Sequence, residues 1–96
     1  MLSGVKVIEM ATYVAAPAAS GILSDWGADV IKIEPPGKGD PMRNWGQGEE
    51  KVHWEVIARN KQSVTCNLRL KEGQEIARKL IGTADVLVEN FKPGTL

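Results

Sequence analysis

Hydrophobic positions along this chain shift between continuous runs, alternation and helical spacing, and each shift marks an element. Val5-Lys6-Val7-Ile8-Glu9 carries few polar residues, the pattern of a strand covered on both faces. Residues 15–26 then place Ala15, Ala19, Ile22, Leu23 and Trp26 on one face at helical spacing, with Pro17 in the first turn, where its missing N–H costs nothing. Gly27 supplies a left-handed stop. A second strand, residues 30–33, ends at Pro35-Pro36, which cannot donate to a ladder. Residues 37–47, rich in Gly, Pro and Asp, predict a loop, and residues 50–58 a short helix. Asn60-Lys61-Gln62 predicts a turn. Residues 63–68 alternate, with Val64, Cys66 and Leu68 on one side and Ser63, Thr65 and Asn67 on the other, as a strand does. A helix over 71–81 turns Ile76, Ala77, Leu80 and Ile81 inward and Glu72, Gln74, Glu75, Arg78 and Lys79 outward, with Gly82 as its cap. Asp85 to Glu89 holds a fourth strand, and residues 90–94 a turn. Strands alternating with helices imply right-handed crossovers and an α/β fold with an open parallel sheet.

The chain's length, 96 residues, allows one domain with a small core. Twelve basic and twelve acidic residues cancel, which argues against a nucleic-acid surface or a polybasic membrane patch but leaves room for a local cationic site. The single cysteine, Cys66, has no internal disulfide partner and suits a reducing compartment. Neither a secretory leader pattern nor an apolar run long enough to span a bilayer stands out, so a cytoplasmic protein is expected. No His/Cys/Asp cluster has metal-ligand spacing, and no metal is expected.

The first strand, helix and second strand form the unit that binds nucleotides at a helix N-terminus. Its first turn, Met10-Ala11-Thr12-Tyr13-Val14, lacks G-x-G-x-x-G, so the ordinary NAD or FAD assignment fails at its defining residues. Glu34 ends the second strand where such folds keep a ribose-binding acid, but without the glycines and with Pro35-Pro36 following, that role is rejected. The small residues 15–19 suit close approach of an anionic ligand, and equally suit tight helix–sheet packing. Arg43 suits a phosphate, its neighbouring acids or plain solvent. His53 stands without a plausible Cys partner, and Trp26, Trp45 and Trp54 suit a core or an interface.

Five segments carry a family resemblance. They are Leu2-Ser3-Gly4-Val5-Lys6-Val7-Ile8-Glu9; Ala16-Pro17 with Gly27-Ala28-Asp29-Val30-Ile31-Lys32-Ile33-Glu34-Pro35-Pro36; Gly39-Asp40-Pro41-Met42-Arg43; Asn60-Lys61-Gln62-Ser63-Val64; and Ala84-Asp85-Val86-Leu87-Val88-Glu89-Asn90-Phe91-Lys92-Pro93-Gly94. In order and spacing they resemble the opening of the class III coenzyme A transferases, the family of formyl-CoA transferase and carnitine CoA-transferase. Gln62 stands where the family usually has arginine, and Pro35 where some members place an arginine near the adenine. The resemblance implies a Rossmann-like open parallel sheet with flanking helices, here truncated: residues 1–96 as the N-terminal part of a coenzyme-A-binding domain from a longer, homodimeric chain. It implies coenzyme A or an acyl-CoA, with a carboxylic acid, as the ligands. By matching position, Tyr13, Val14, Ala15, Cys66, Arg69, Asn90 and Phe91 resemble coenzyme-contacting residues. For Cys66 the plain alternative is a small buried residue, for Arg69 a solvated charge, and for Asn90 and Phe91 an ordinary turn.

The family's catalytic aspartate lies downstream of every matched segment, so none of Asp25, Asp29, Asp40 and Asp85 inherits that role, and the chain is expected to hold no catalytic residue. Two alternatives stay open: a segment of an α-methylacyl-CoA racemase, which shares the opening motifs, and a catalytically silent nucleotide-binding or interaction module.

Overall fold

The computed structural model describes residues 1–12, 14–37, 39–44 and 52–94. Elements follow as β1 (Lys6–Met10), α1 (Ala15–Asp25), β2 (Asp29–Glu34), a 3-10 turn (Pro41–Asn44), α2 (Val52–Ala58), β3 (Lys61–Thr65), α3 (Lys71–Gly82) and β4 (Val86–Glu89). The four strands described form one sheet of order β3-β2-β1-β4, parallel throughout, with Val7 opposite both Val30 and Val86. Chain order runs outward from β1 through β2 to β3, then returns to the other side of β1 for β4. This is the open parallel sheet that the alternation predicts, with the Rossmann-like order and flanking helices that the resemblance implies.

Two apolar clusters cover the sheet. On one face Ile8, Met10 and Ile33 meet Cys66 and Ala77, with Leu80, Ile81 and Phe91 packed against them. On the other, Val7, Ala28 and Val30 meet Leu23 and Val88. Strand parity carries Glu9, Lys32 and Glu34 onto this second face, beneath α1 and α2. It is apolar in its amino half and charged, yet buried, in its carboxyl half.

Helix α1 turns a different face inward from the one its apolar spacing predicts. Ala16, Pro17, Ser20, Gly21 and Ser24 are buried, whereas Ala15, Ala19, Ile22 and Trp26 face outward; Ile22 is 55% and Trp26 52% exposed. Only Leu23 of the expected stripe packs on the sheet. Small residues and hydroxyls let the helix approach closely enough for Ser20 Oγ to donate to the Glu9 carboxylate under it. That polar contact outweighs the amphipathic pattern.

Other differences are local. Ile76 of α3 is 50% exposed; Ala77 alone of its expected inward residues is fully buried, with Leu80 and Ile81 half-buried beside it. Gly82 belongs to α3 and has no left-handed backbone, so the cap is Thr83, whose hydroxyl donates to the Leu80 carbonyl at 2.7 Å. Gly27 does adopt the left-handed conformation, at φ 104°. The turn expected at 60–62 is tighter: Asn60 takes φ 60°, so β3 opens at Lys61. It ends at Thr65, with Cys66 N–H extending the ladder to the Glu34 carbonyl at 2.8 Å. The loop predicted over 37–47 includes the 3-10 turn. Tyr13, Trp45, Glu50 and the His53 side chain lie outside the described residues.

Candidate functional site

In an open parallel sheet ligands bind beyond the carboxyl ends of the strands, where the chain order reverses. Here that point lies between β1 and β4. The β1–α1 connection leaves one lip of the crevice and the turn after β4 leaves the other. Asn90 joins them. Its Oδ1 accepts from Thr12 N–H at 3.0 Å, and its Nδ2 donates to the Thr12 carbonyl at 2.8 Å. The side-chain amide thus extends the β1–β4 ladder by one rung where no further backbone pairing is available. Beyond it, Val14 precedes α1 without a side-chain cap, and the first-turn N–H groups of Ala15 and Ala16 have no intrahelical acceptor.

On the α3 side a cavity of about 560 Å³ opens at the same sheet edge. Met10, Leu68, Leu87 and Phe91 supply apolar walls, and Arg69, Gln74 and Arg78 polar ones. Arg69 is exposed, with its backbone N–H fixed by Asn67 Oδ1 at 3.0 Å. Cys66 lies under this cavity rather than in its wall. It is buried, and its Sγ donates to the Gly73 carbonyl at 2.9 Å. Gly73 allows this because a Cβ there would sit 1.9 Å from the Asn67 carbonyl oxygen.

Of the seven candidate contacts, Arg69 and Phe91 therefore share the cavity, Asn90 bridges the crevice, Val14 and Ala15 open α1, and Cys66 supports from below. Tyr13 lies outside the described residues.

A second, polar hollow of about 150 Å³ sits at the carboxyl ends of β2 and β3, lined by Glu34, Pro35, Gly37, Gly39, Arg43 and Ser63 among others. Arg43 grips Glu34 with two bonds of 2.7 Å and stacks 4.2 Å above the Trp54 ring. Glu34 also accepts from Ser63 Oγ and from Asp40 N–H at 2.9 Å. The Arg43 guanidinium, with these donors, holds the Glu34 carboxyl down at about 2 despite its burial. Of the roles open to Arg43, it takes the neighbouring acid.

Beside this lies a network that the sequence pattern did not single out. Glu9 is fully buried, and Lys32 nearly so at 2% exposed. Lys32 Nζ donates to Glu9 and to the Ala11 carbonyl at 3.0 Å, and pairs with the buried Asp40 at 2.7 Å. Lys61 Nζ donates to Glu9 Oε1 at 2.6 Å and to the Pro17 carbonyl at 2.8 Å. Burial pushes the Lys61 ammonium below the usual lysine range, against the pull of Glu9. Two ammoniums and two carboxylates thus balance inside the protein. The signal available was Val30-Ile31-Lys32-Ile33-Glu34, where lysine and glutamate alternate with isoleucine. Ordinarily that alternation marks a solvated face.

The fold defines a parallel α/β domain of the Rossmann-like class. Residues 2–96 match the model of CoA-transferase family III, and the chain belongs to that family. It is 49% identical, over 99% of its length, to a succinyl-CoA–D-citramalate CoA-transferase of Chloroflexus aurantiacus, covering 24% of that protein. To the alpha subunit of a succinyl-CoA–L-malate CoA-transferase of the same species it is 44% identical, over 99% of its length and 23% of the subunit's. A crystal structure of a CAIB/BAIF family protein from Brucella suis superposes with a TM-score of 0.88 at 42% identity, over 97% of this chain and 26% of that one. The chain thus spans about a quarter of the length of the relatives it matches.

Proposed function

We propose that these residues form the coenzyme-A-holding part of an enzyme that transfers coenzyme A between carboxylic acids. The observation that carries this is the family match over residues 2–96, joined to a switch-point crevice flanked by an arginine-bearing cavity. In this reading the α1 N-terminus and Arg69 meet the phosphates of the coenzyme. Phe91 and Leu68 give its apolar parts a surface, and the residues after β1 and β4 approach its chain. Relatives named for succinyl-CoA and for citramalate or malate favour a carboxylic acid acceptor.

The chemistry proceeds by covalent exchange. An enzyme carboxylate attacks the thioester carbonyl of the donor; the C–S bond breaks, coenzyme A leaves as thiolate, and a mixed anhydride remains. The thiolate then attacks the enzyme's own carboxyl carbon, expelling the donor acid and leaving an enzyme–coenzyme thioester, which the acceptor acid reverses. Throughout, binding energy from the nucleotide end keeps the thiol near the reacting carbon. Glu9, Glu34 and Asp40 are engaged with buried or half-buried cations. Their negative charges are spent there, and the attacking carboxylate is assigned, as the family resemblance implies, to residues downstream of these.

Calorimetric titration of the intact protein with coenzyme A tests the reading. Saturable binding is expected, weakened about tenfold by Arg69→Ala, the loss of one charge-assisted contact. No binding, or no effect of the substitution, contradicts it. Epimerisation of a 2-methylacyl-CoA without exchange between acids would support the racemase alternative instead.

A further inference from the structure

The buried Glu9–Lys32–Lys61 network bears on the same crevice, and the inference below rests on the coenzyme-binding role given to it. Each lysine is shared between Glu9 and one main-chain carbonyl, and Lys32 pairs with Asp40 besides. Lys32 takes Ala11, just past the end of β1, and Lys61 takes Pro17, in the first turn of α1. These two carbonyls bracket residues 12–16, the connection that carries the candidate ligand contacts. Ser20 adds a third tie from α1 to Glu9. From the opposite lip, Asn90 holds both polar backbone groups of Thr12.

Burying two ion pairs is a poor route to stability, since apolar residues of similar volume often serve as well or better. What the network adds is position. An apolar core would let the connection slide or rotate. Directional bonds from a shared carboxylate fix both of its ends relative to the sheet.

We propose that Glu9, Lys32 and Lys61 are positioning residues, which hold the two ends of the β1–α1 connection, at Ala11 and Pro17, where the coenzyme is received. None of the three touches the ligand. Lys61 matters most in this role, because it comes from β3, two strands away from β1, and ties that distant strand to the start of α1.

The test separates positioning from stability. Lys61→Met in the intact protein leaves Glu9 with one ammonium and lowers the Tm. Glu9→Gln combined with Lys61→Met restores charge balance around Lys32 and Asp40, so the Tm recovers most of the loss. Position is not restored, because nothing then holds the Pro17 carbonyl from β3. The double variant is therefore expected to keep a KM for acyl-CoA raised on the order of tenfold or more, with kcat changed less. Amide exchange confined to residues 12–16 should be faster in both variants.

Recovery of KM together with Tm would overturn the proposal, since the network would then serve stability alone. Wild-type affinity in folded Lys61→Met would overturn it too. Failure of the unsubstituted protein to bind coenzyme A would overturn the coenzyme reading and this inference with it, and that result is distinguishable because it appears before any substitution is made.

Discussion

At the scale of single residues, the structure is governed by where charge is hidden. Glu34 is buried, yet it keeps its charge because Arg43, Ser63 and the Asp40 N–H all donate to it. Its carboxyl stands at about 2 in the folded protein, against 4.5 for an unperturbed glutamate. A carboxyl depressed by folding contributes stability that is complete above its unfolded value and is lost as pH falls towards its folded one. Urea unfolding of the intact protein at steps from pH 5 to pH 3 should therefore show stability falling with acid. Glu34→Gln, less stable at pH 5, should show a shallower fall; equal slopes would contradict this assignment. None of this was legible in the sequence. Lysine and glutamate alternating with isoleucine look like an exposed edge, and only the three-dimensional neighbours, Arg43 from the 3-10 turn and Ser63 from β3, show that the face is covered.

Among elements, periodicity located nearly every strand and helix, but it misassigned the faces where packing is close rather than oily. Helix α1 buries Ser20, Gly21 and Ser24 and sends Ile22 and Trp26 outward. Hydrophobic spacing cannot anticipate a helix whose inward face is selected for small size and for a hydroxyl that reaches Glu9. Helix α3 shows the same economy at Gly73, packed against the Asn67 carbonyl. Gly73→Ala should push α3 away from the loop after β3 and break the Cys66–Gly73 bond, destabilising the protein by about 3 kcal/mol, the upper range for overpacking. Chemical denaturation measures it, and a change below about 0.5 kcal/mol would contradict the close approach. Because α3 lines the large cavity, its displacement also alters the wall that Arg78 and Ile81 provide.

Over the whole molecule, two lips of one sheet edge converge at the β1–β4 switch point. The place of the candidate contacts at one edge was legible by family resemblance: Asn90, Arg69 and Phe91 lie there, and Val14 and Ala15 open the helix beside it. The buried clamp behind them was not, because its members come from β1, β2 and β3 and meet only once the parallel register is set. Ile22 of α1 with Val14 and Trp26 at its ends, and Val86 and Leu87 on β4, leave a considerable apolar surface outward in the 96 residues. No helix among the described residues is long and apolar enough to cross a membrane.

The most direct measurement is a crystal structure of the intact protein with coenzyme A bound. The ligand should lie across the crevice between the β1–α1 connection and Asn90, with a phosphate within reach of Arg69 and the carbonyls of Ala11 and Pro17 still held by Lys32 and Lys61. Coenzyme bound at another sheet edge, leaving this crevice empty, would contradict it.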